Sequence, residues 1–320
     1  MTDEVTTTLV SLAELRAAAE RIRGVAHRTP LLTVDDPATG AALFLKCENL
    51  QVTGSFKLRG AYNMLAQLPL AARGAGVIAY SSGNHGQAVA YSARRLHIPA
   101  IIVMPESASR VKVEGARRYG AEVIFAGTTS QERQLRAEAE AAKSGRAIVP
   151  PFDHRSIIAG AGTIGLEILE QQPDVAVIYV PMGGGGQISG VAAAVKQVRP
   201  GVRVVGVEPA GAARMTASRA AGQPVTLPRT ASIADGLLTL RPGDLTFLHA
   251  QAYVDEVVTV EEGEIAGAVR WLFETAKLVA EPSGAASVAA ALRGGGAASG
   301  AVAIVSGGNV TPEQFADLIR

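Results

Sequence analysis

Cysteine is almost missing from this chain. Cys47 is the single example in 320 residues, which rules out an intrachain disulfide and a thiolate metal cluster. It follows the apolar run ALFLK, so a packing residue at a strand end is the plain reading and a nucleophile the alternative. Histidine is scarce too. His27, His85, His97, His154 and His249 include no H-E-x-x-H or other paired-ligand spacing, which argues against a zinc site. Charged residues make up only 18%, and the net charge is +1, so no patch of one sign stands out to attract nucleic acid or a membrane surface. No apolar run approaches the roughly 18 residues of a membrane span. The opening MTDEVTTTLVSLAELR also lacks the basic stretch and apolar core of a signal peptide. These absences lead us to expect a cytoplasmic enzyme with a small neutral or zwitterionic partner, no nucleic acid and no membrane.

What is abundant is apolar and small. The chain is 48% hydrophobic, enough for one large core or two moderate ones. After an amphipathic opening helix, LAELRAAAERIRG, short β-branched runs alternate with Ala-rich helical stretches. The runs GVIAY, PAIIVM, AEVIF, VAVIYV, VRVVGV and AVAIV are apolar apart from Glu122 and Arg203, as suits parallel strands covered by helices on both faces. The expected class is therefore α/β. RGGGAASG at 293–300 reads as a flexible connector between a helix and the last of these strands. A composition break near VPPFD, 149–153, suggests that a smaller domain over 75–149 is inserted into a larger one made of 1–74 and 150–320.

In doubly wound sheets, ligands sit beyond the carboxyl ends of the strands, so the turns there are where chemistry is expected. SSGNHG, 81–86, follows GVIAY and precedes a helical stretch. It reads either as an ordinary turn capped by Ser82 or Asn84, or as backbone N–H groups facing an anion. GGGG, 183–186, follows VAVIYVPM. Four successive glycines cost backbone entropy that a plain turn does not require, so a phosphate cradle explains them better. Glu208, which ends the next strand, raises the alternative of a nicotinamide site. The G-x-G-x-x-G spacing fails, however: it runs Gly184, Gly186 and then Ser189. SGGN, 306–309, follows AVAIV and places Ser306 where its hydroxyl either caps the next turn or points at a heterocycle nitrogen. Finally, QVTGSFKLRG, 51–60, carries a lone lysine, Lys57, for which a solvated surface position is the plain reading.

Together S-x-K-x-R-G at 55–60, SSGNHG, GGGG, EPSG at 281–284 and SGGN resemble one family over nearly the whole chain, in order and with similar spacing. It is the pyridoxal-phosphate-dependent serine/threonine dehydratases, including serine racemase. The resemblance implies the fold type II architecture, similar to the tryptophan synthase β subunit: two doubly wound domains with the cofactor, pyridoxal 5'-phosphate, in the cleft between them. It implies Lys57 as the lysine that bonds to the cofactor and later acts as a neutral base on the substrate α-carbon. It implies Phe56, Asn84 and Glu281 around the cofactor ring, Gly183, Gly184, Gly185 and Gly186 on its phosphate, and Ser306 at the pyridine nitrogen. The substrate would lie against Ser81, Ser82, Gly83, Asn84, His85 and Gly236. A homodimer is implied as well.

The expected reaction is dehydration and deamination of L-threonine or L-serine to a 2-oxo acid and ammonia. SSGNH, with Ser82, resembles the serine racemases and threo-3-hydroxyaspartate dehydratases more than the threonine dehydratases, which commonly have alanine there. Racemisation and hydroxyaspartate dehydration are therefore the alternatives, with a hydroxylated diamino acid dehydratase behind them. Other classes considered are a non-catalytic cofactor-binding protein, against which Lys57 and Ser306 speak, and a dehydrogenase, for which the glycine fingerprint fails. The racemase cation site falls here on Glu208, Ala212 and Arg214. A guanidinium cannot ligate a cation, so no bound metal is expected, with a Glu208 to Arg214 salt bridge in its place. Gln131 stands roughly where racemases carry an arginine for the substrate carboxylate, and Arg133 or Arg136 is the candidate substitute. The chain ends soon after SGGN, which leads us to expect no regulatory domain and no feedback inhibition by isoleucine.

Overall fold

A computed structural model describes residues 9–35, 40, 42–81, 83–108, 110–293 and 300–320. Ten strands are found among them: β1 Leu31–Asp35, β2 Ala42–Cys47, β3 Val77–Tyr80, β4 Ala100–Met104, β5 Glu122–Phe125, β6 Ala147–Ile148, β7 Val177–Pro181, β8 Arg203–Pro209, β9 Glu256–Val260 and β10 Ala301–Val305. They form two sheets. One has the order β1-β2-β10-β7-β8-β9, parallel except for the antiparallel β1 and β2 pair. The other, β5-β4-β3-β6, is parallel throughout. The non-consecutive order in both sheets is the product of crossover helices, as the alternating pattern predicts.

Strand alternation shows how the sheets are covered. In β10, Ala301, Ala303 and Val305 belong to one core cluster, with helices Glu262–Glu274 and Pro282–Arg293. Val302 and Ile304 belong to another, with helices Arg155–Gln171 and Gly186–Val198. The second sheet repeats the arrangement, with Val77 and Ala79 on one face and Ile78 on the other. Each such buried aliphatic contributes about 1.5–3 kcal/mol by leaving water, which explains why the strands read as unbroken apolar runs.

Three strands were not anticipated. β1 is an edge strand with mostly partial burial, β6 has two residues, and β9 mixes Glu256 and Thr259 into its run. None presents the continuous apolar signature that marked the others. The connector expected at 293–300 lies mostly outside the described residues, and so does Ser82. Among the described residues, no helix is long and apolar enough to cross a membrane.

Candidate active site

The loop that carries Lys57 is stitched to the turn after β10. Phe56 N donates to Ser306 O at 3.1 Å, Gly308 N donates to Gly54 O at 2.9 Å, and Ser55 forms an isolated bridge with Gly307. Two motifs some 250 residues apart in sequence thus meet through backbone bonds. Lys57 then opens the helix Lys57–Leu65. Its side chain keeps some surface toward a cavity of about 1110 Å³, and Nζ donates to Pro151 O at 2.7 Å. Nζ also stands 5.1 Å from the centre of the Phe56 ring. Among the described residues no carboxylate pairs with it, and desolvation lowers its amine from 10.5 to about 8. The plain surface reading of this lysine is wrong.

Asn84 opens the helix Asn84–Arg95 after β3 and joins three motifs in one chain of bonds. Its Nδ2 donates to Glu281 Oε1 at 2.6 Å, and its Oδ1 accepts from Asn309 Nδ2 at 2.7 Å. In the same turn Ser81 Oγ accepts from Gly83 N at 3.2 Å. His85 Nε2 lies 2.9 Å from Val149 O. Burial lowers this imidazole to about 3, with the charge of Lys57 adding to the effect, so it is neutral at physiological pH. Ser306 is buried, and its hydroxyl has only a long 3.5 Å contact to Ser283 O. Gly236 N donates to Ser283 Oγ at 2.8 Å on the other side of the cavity.

The four glycines join β7 to the helix Gly186–Val198. Gly185 caps that helix in the left-handed region at φ 98°, and no side chain caps the end. A Cβ on Gly184 would meet the Phe152 ring at 2.4 Å, so the turn is also moulded against its neighbour. Gly184 O accepts from Thr246 Oγ1 at 2.7 Å, and Asp153 Oδ1 accepts from Thr246 N at 3.0 Å. Pro151, Phe152, Asp153 and Thr246 therefore hold the lysine and the glycine turn together, and sequence reasoning missed all four. VPPFD was read only as a composition break, and Thr246 has no local signature.

Of the residues singled out from sequence, Phe56, Lys57, Ser81, Gly83, Asn84 and His85 line the same cavity. So do Gly183 to Gly186, Gly236, Glu281 and Ser306. Arg133 lines it as well, whereas Arg136 pairs with Glu140 at 3.7 Å. Glu208, Ala212 and Arg214 do not line it. Arg214 is wholly buried, and its guanidinium donates to the carbonyls of Met182, Gly183, Ala212 and Leu237. Its ion pair with Glu208 is long, at 3.7 Å. Glu208 spends its oxygens on Met215 N, Thr216 N and the Thr216 hydroxyl instead. That leaves it no role at a nucleotide ribose. Burial raises the Cys47 thiol to about 12, in keeping with the packing reading.

A lysine amine lowered by burial, an uncapped helix N-terminus behind a glycine turn and a buried serine hydroxyl line one cavity, which suits a ligand that has both an amine-reactive and an anionic group. Comparison with known proteins agrees. Residues 22–307 match the family described as pyridoxal-phosphate dependent enzyme. An L-threonine ammonia-lyase of Thermotoga maritima is 46% identical over 98% of this chain and 79% of its own length. An L-threo-3-hydroxyaspartate ammonia-lyase of a Pseudomonas species is 40% identical over 98% of this chain and 99% of its own. The structure of maize serine racemase superposes with a TM-score of 0.92 at 38% identity, covering 97% of both chains. The chain belongs to the pyridoxal-phosphate dependent enzymes, with the fold type II architecture, and pyridoxal phosphate is its cofactor.

Proposed function

We propose that the chain is an ammonia-lyase that dehydrates and deaminates L-threonine and L-serine to the 2-oxo acid and ammonia. The observation that carries this reading is the Lys57 amine, lowered to about 8 and facing the cavity. An amine near neutrality is the base that removal of an α-proton requires. When bound, pyridoxal phosphate supplies the electron sink that makes the α-hydrogen acidic. Phe56, Asn84 and Glu281 would hold its ring, Gly183 to Gly186 its phosphate, and Ser306 its pyridine nitrogen. Lys57 Nζ accepts the α-proton, and backbone N–H groups of the 81–85 loop orient the substrate carboxylate. Gly236, which lines the same cavity, would lie against the substrate. A neutral serine at the ring nitrogen, in place of an acid, would leave that nitrogen without a fixed proton and so suit the group to elimination of a β-hydroxyl.

The same reading divides the chain into a large domain, 1–74 with 150–320, and a small one, 75–149, with the four-stranded sheet falling within the second range. It includes a homodimer in the cytoplasm. It includes no bound Mg²⁺ or Ca²⁺ at Glu208 and Ala212, because a guanidinium already takes up the carbonyls there. Serine racemisation or 3-hydroxyaspartate dehydration is the second reading. Ser82 and the named activities of the relatives favour it. The test incubates the cofactor-loaded protein with L-serine, L-threonine and both diastereomers of 3-hydroxyaspartate, following keto acid and amino-acid chirality in the same samples. Keto acid from serine and threonine without D-isomer is the expected result. Activity confined to hydroxyaspartate, or D-serine as the main product, overturns it in favour of the second reading.

A further inference from the structure

Asn309 ends the SGGN turn after β10 and lines the cavity together with Asn84 and Glu281. Its Nδ2 donates twice, to Thr53 O at 2.9 Å and to Asn84 Oδ1 at 2.7 Å. A backbone carbonyl can only accept, so the Thr53 contact fixes which end of the Asn309 amide is nitrogen. That nitrogen then fixes Asn84, whose oxygen must face it and whose Nδ2 is left to donate to Glu281 Oε1 at 2.6 Å. The row of bonds therefore has one direction, from a backbone carbonyl at one end to a carboxylate at the other. Asn84 is held at both ends of its amide and cannot turn over without losing two bonds. An amide nitrogen carries two hydrogens, so Asn84 Nδ2 has one beyond the bond to Glu281 with which to meet a ligand in the cavity. Turned over, it would offer that ligand an acceptor instead.

Two separate motifs leave room for this row. Gly54 adopts φ 72°, and a Cβ there would overlap Asn309 Oδ1. A Cβ on Gly307 would overlap Glu281 Oε1 and come within 3.2 Å of Asn84 Nδ2. We propose that Asn309 is a positioning residue: by holding Asn84 Oδ1 it sets the amide so that Nδ2, and not Oδ1, meets the cofactor ring. This rests on the reading that Asn84 holds that ring, and it adds a residue that touches neither cofactor nor substrate.

The test prepares Asn309→Ala, Asn84→Ala and the double variant in the full-length protein and strips each of cofactor. It then measures the dissociation constant for pyridoxal 5'-phosphate and the absorbance maximum of the cofactor once it is covalently held. Asn84→Ala is expected to weaken binding roughly three- to tenfold, the worth of one hydrogen bond, and Asn309→Ala to reproduce most of that loss. The double variant is expected to lose no more than Asn84→Ala alone, because Asn309 then has nothing to position. The absorbance maximum is expected to shift in the same direction in all three, which a loosened turn alone would not produce. Asn309→Asp keeps the size but sets a group that only accepts against Thr53 O and Asn84 Oδ1. It is expected to turn Asn84 over and to weaken the cofactor more than Asn309→Ala does, with the extra loss vanishing in the Asn84→Ala background. Should Asn309→Ala fail to fold, Asn309→Asp completes the same cycle. Losses that add in the double variant overturn the assignment and reduce Asn309 to a tie between two turns. So does a lower melting temperature for Asn309→Ala with affinity and absorbance unchanged. An undiminished affinity in Asn84→Ala overturns the placing of Asn84 at the ring as well. Neither readout involves substrate, so the result stands apart from the choice of amino acid.

Discussion

Lys57 and Arg59 stand two residues apart at the start of one helix, and the chain surrounds them in opposite ways. Arg59 is fully buried and meets Glu48 at 2.8 Å and Glu167 at 2.6 Å. Burial works against its charge, but the two carboxylates outweigh burial and push its pKa above the ordinary value. Lys46 joins the cluster at 2.6 Å from Glu167, so two cations are balanced by two acids. Lys57 has Pro151 O and the Phe56 ring, and burial lowers its amine to about 8. Arg214 is intermediate. Desolvation lowers its pKa to about 10, opposed only in part by Glu208 at 3.7 Å. Across Arg59, Arg214 and Lys57 the shift follows the carboxylate placed beside the cation. Lys46 is lowered as well, because its burial outweighs Glu167 and Glu48, but its ammonium is tied to Glu167 whereas that of Lys57 faces the cavity. Withholding the acid from Lys57, two residues from a cluster that has two, is what fits it for chemistry.

The largest effect comes from removing the exceptional cation. Lys57→Ala is expected to abolish turnover and the absorbance of covalently held cofactor. The loss of rate should reach at least the roughly 10²- to 10⁴-fold range of a missing general base. Retention of either signal would exclude Lys57 as the base. Breaking the other side of the contrast should act on folding. Glu48 accepts from Arg59 and from the Thr29 hydroxyl at 2.6 Å. Burial alone would raise its carboxyl, yet Arg59 and Lys46 hold it below the ordinary value. Glu48→Gln leaves a buried guanidinium short of one acid and is expected to cost about 3–5 kcal/mol in denaturant unfolding. A cost below about 1 kcal/mol would mean that Glu167 alone balances the cluster.

A pH series sharpens the comparison. The ordinary lysine value is 10.5 and the folded value about 8, so below pH 8 the folded, cofactor-free protein carries the full cost of a desolvated ammonium. Between the two values the unfolded chain binds the extra proton and the folded one does not, so stability rises with pH across that window. The cost is at most about 3 kcal/mol, less whatever water in the cavity screens. Lys57→Met is therefore expected to be more stable than the parent below pH 8, with the difference shrinking as pH rises toward 10.5. A difference independent of pH would show that the lysine is ordinarily solvated.

Much of this contrast was legible in the sequence, and the reason lies in what each residue needs. Lys57, the glycine turn and Ser306 sit beside local signatures, because turns at strand ends require small residues and backbone exposure. The strands announced themselves where both faces are covered, as in β10, and went unnoticed where one face or an edge is open, as in β1 and β9. The Arg59 cluster was invisible. Glu48, Lys46, Thr29 and Glu167 come from three separate elements, and their pairing exists only after folding. The same holds for Asp153 and Thr246, which lie 93 residues apart in sequence and meet beside the glycine turn only after folding.

The smallest expected effect concerns the intermediate cation. The expected Glu208 to Arg214 salt bridge is present but long, and the guanidinium is held chiefly by carbonyl oxygens of the glycine turn and its neighbours. A divalent ion would need those same oxygens and would have to displace a fixed positive charge. Activity after exhaustive chelation is therefore expected to equal that of the untreated enzyme, and added Mg²⁺ or Ca²⁺ to change nothing. A chelator-sensitive enzyme restored by either ion would place a metal in this chain at a position other than the Arg214 cage, or with Arg214 swung out of it. A melting curve of the chelated protein separates the two: a site that only supports catalysis leaves the curve in place, whereas opening a cage that ties β7 to the 235–237 turn must lower it.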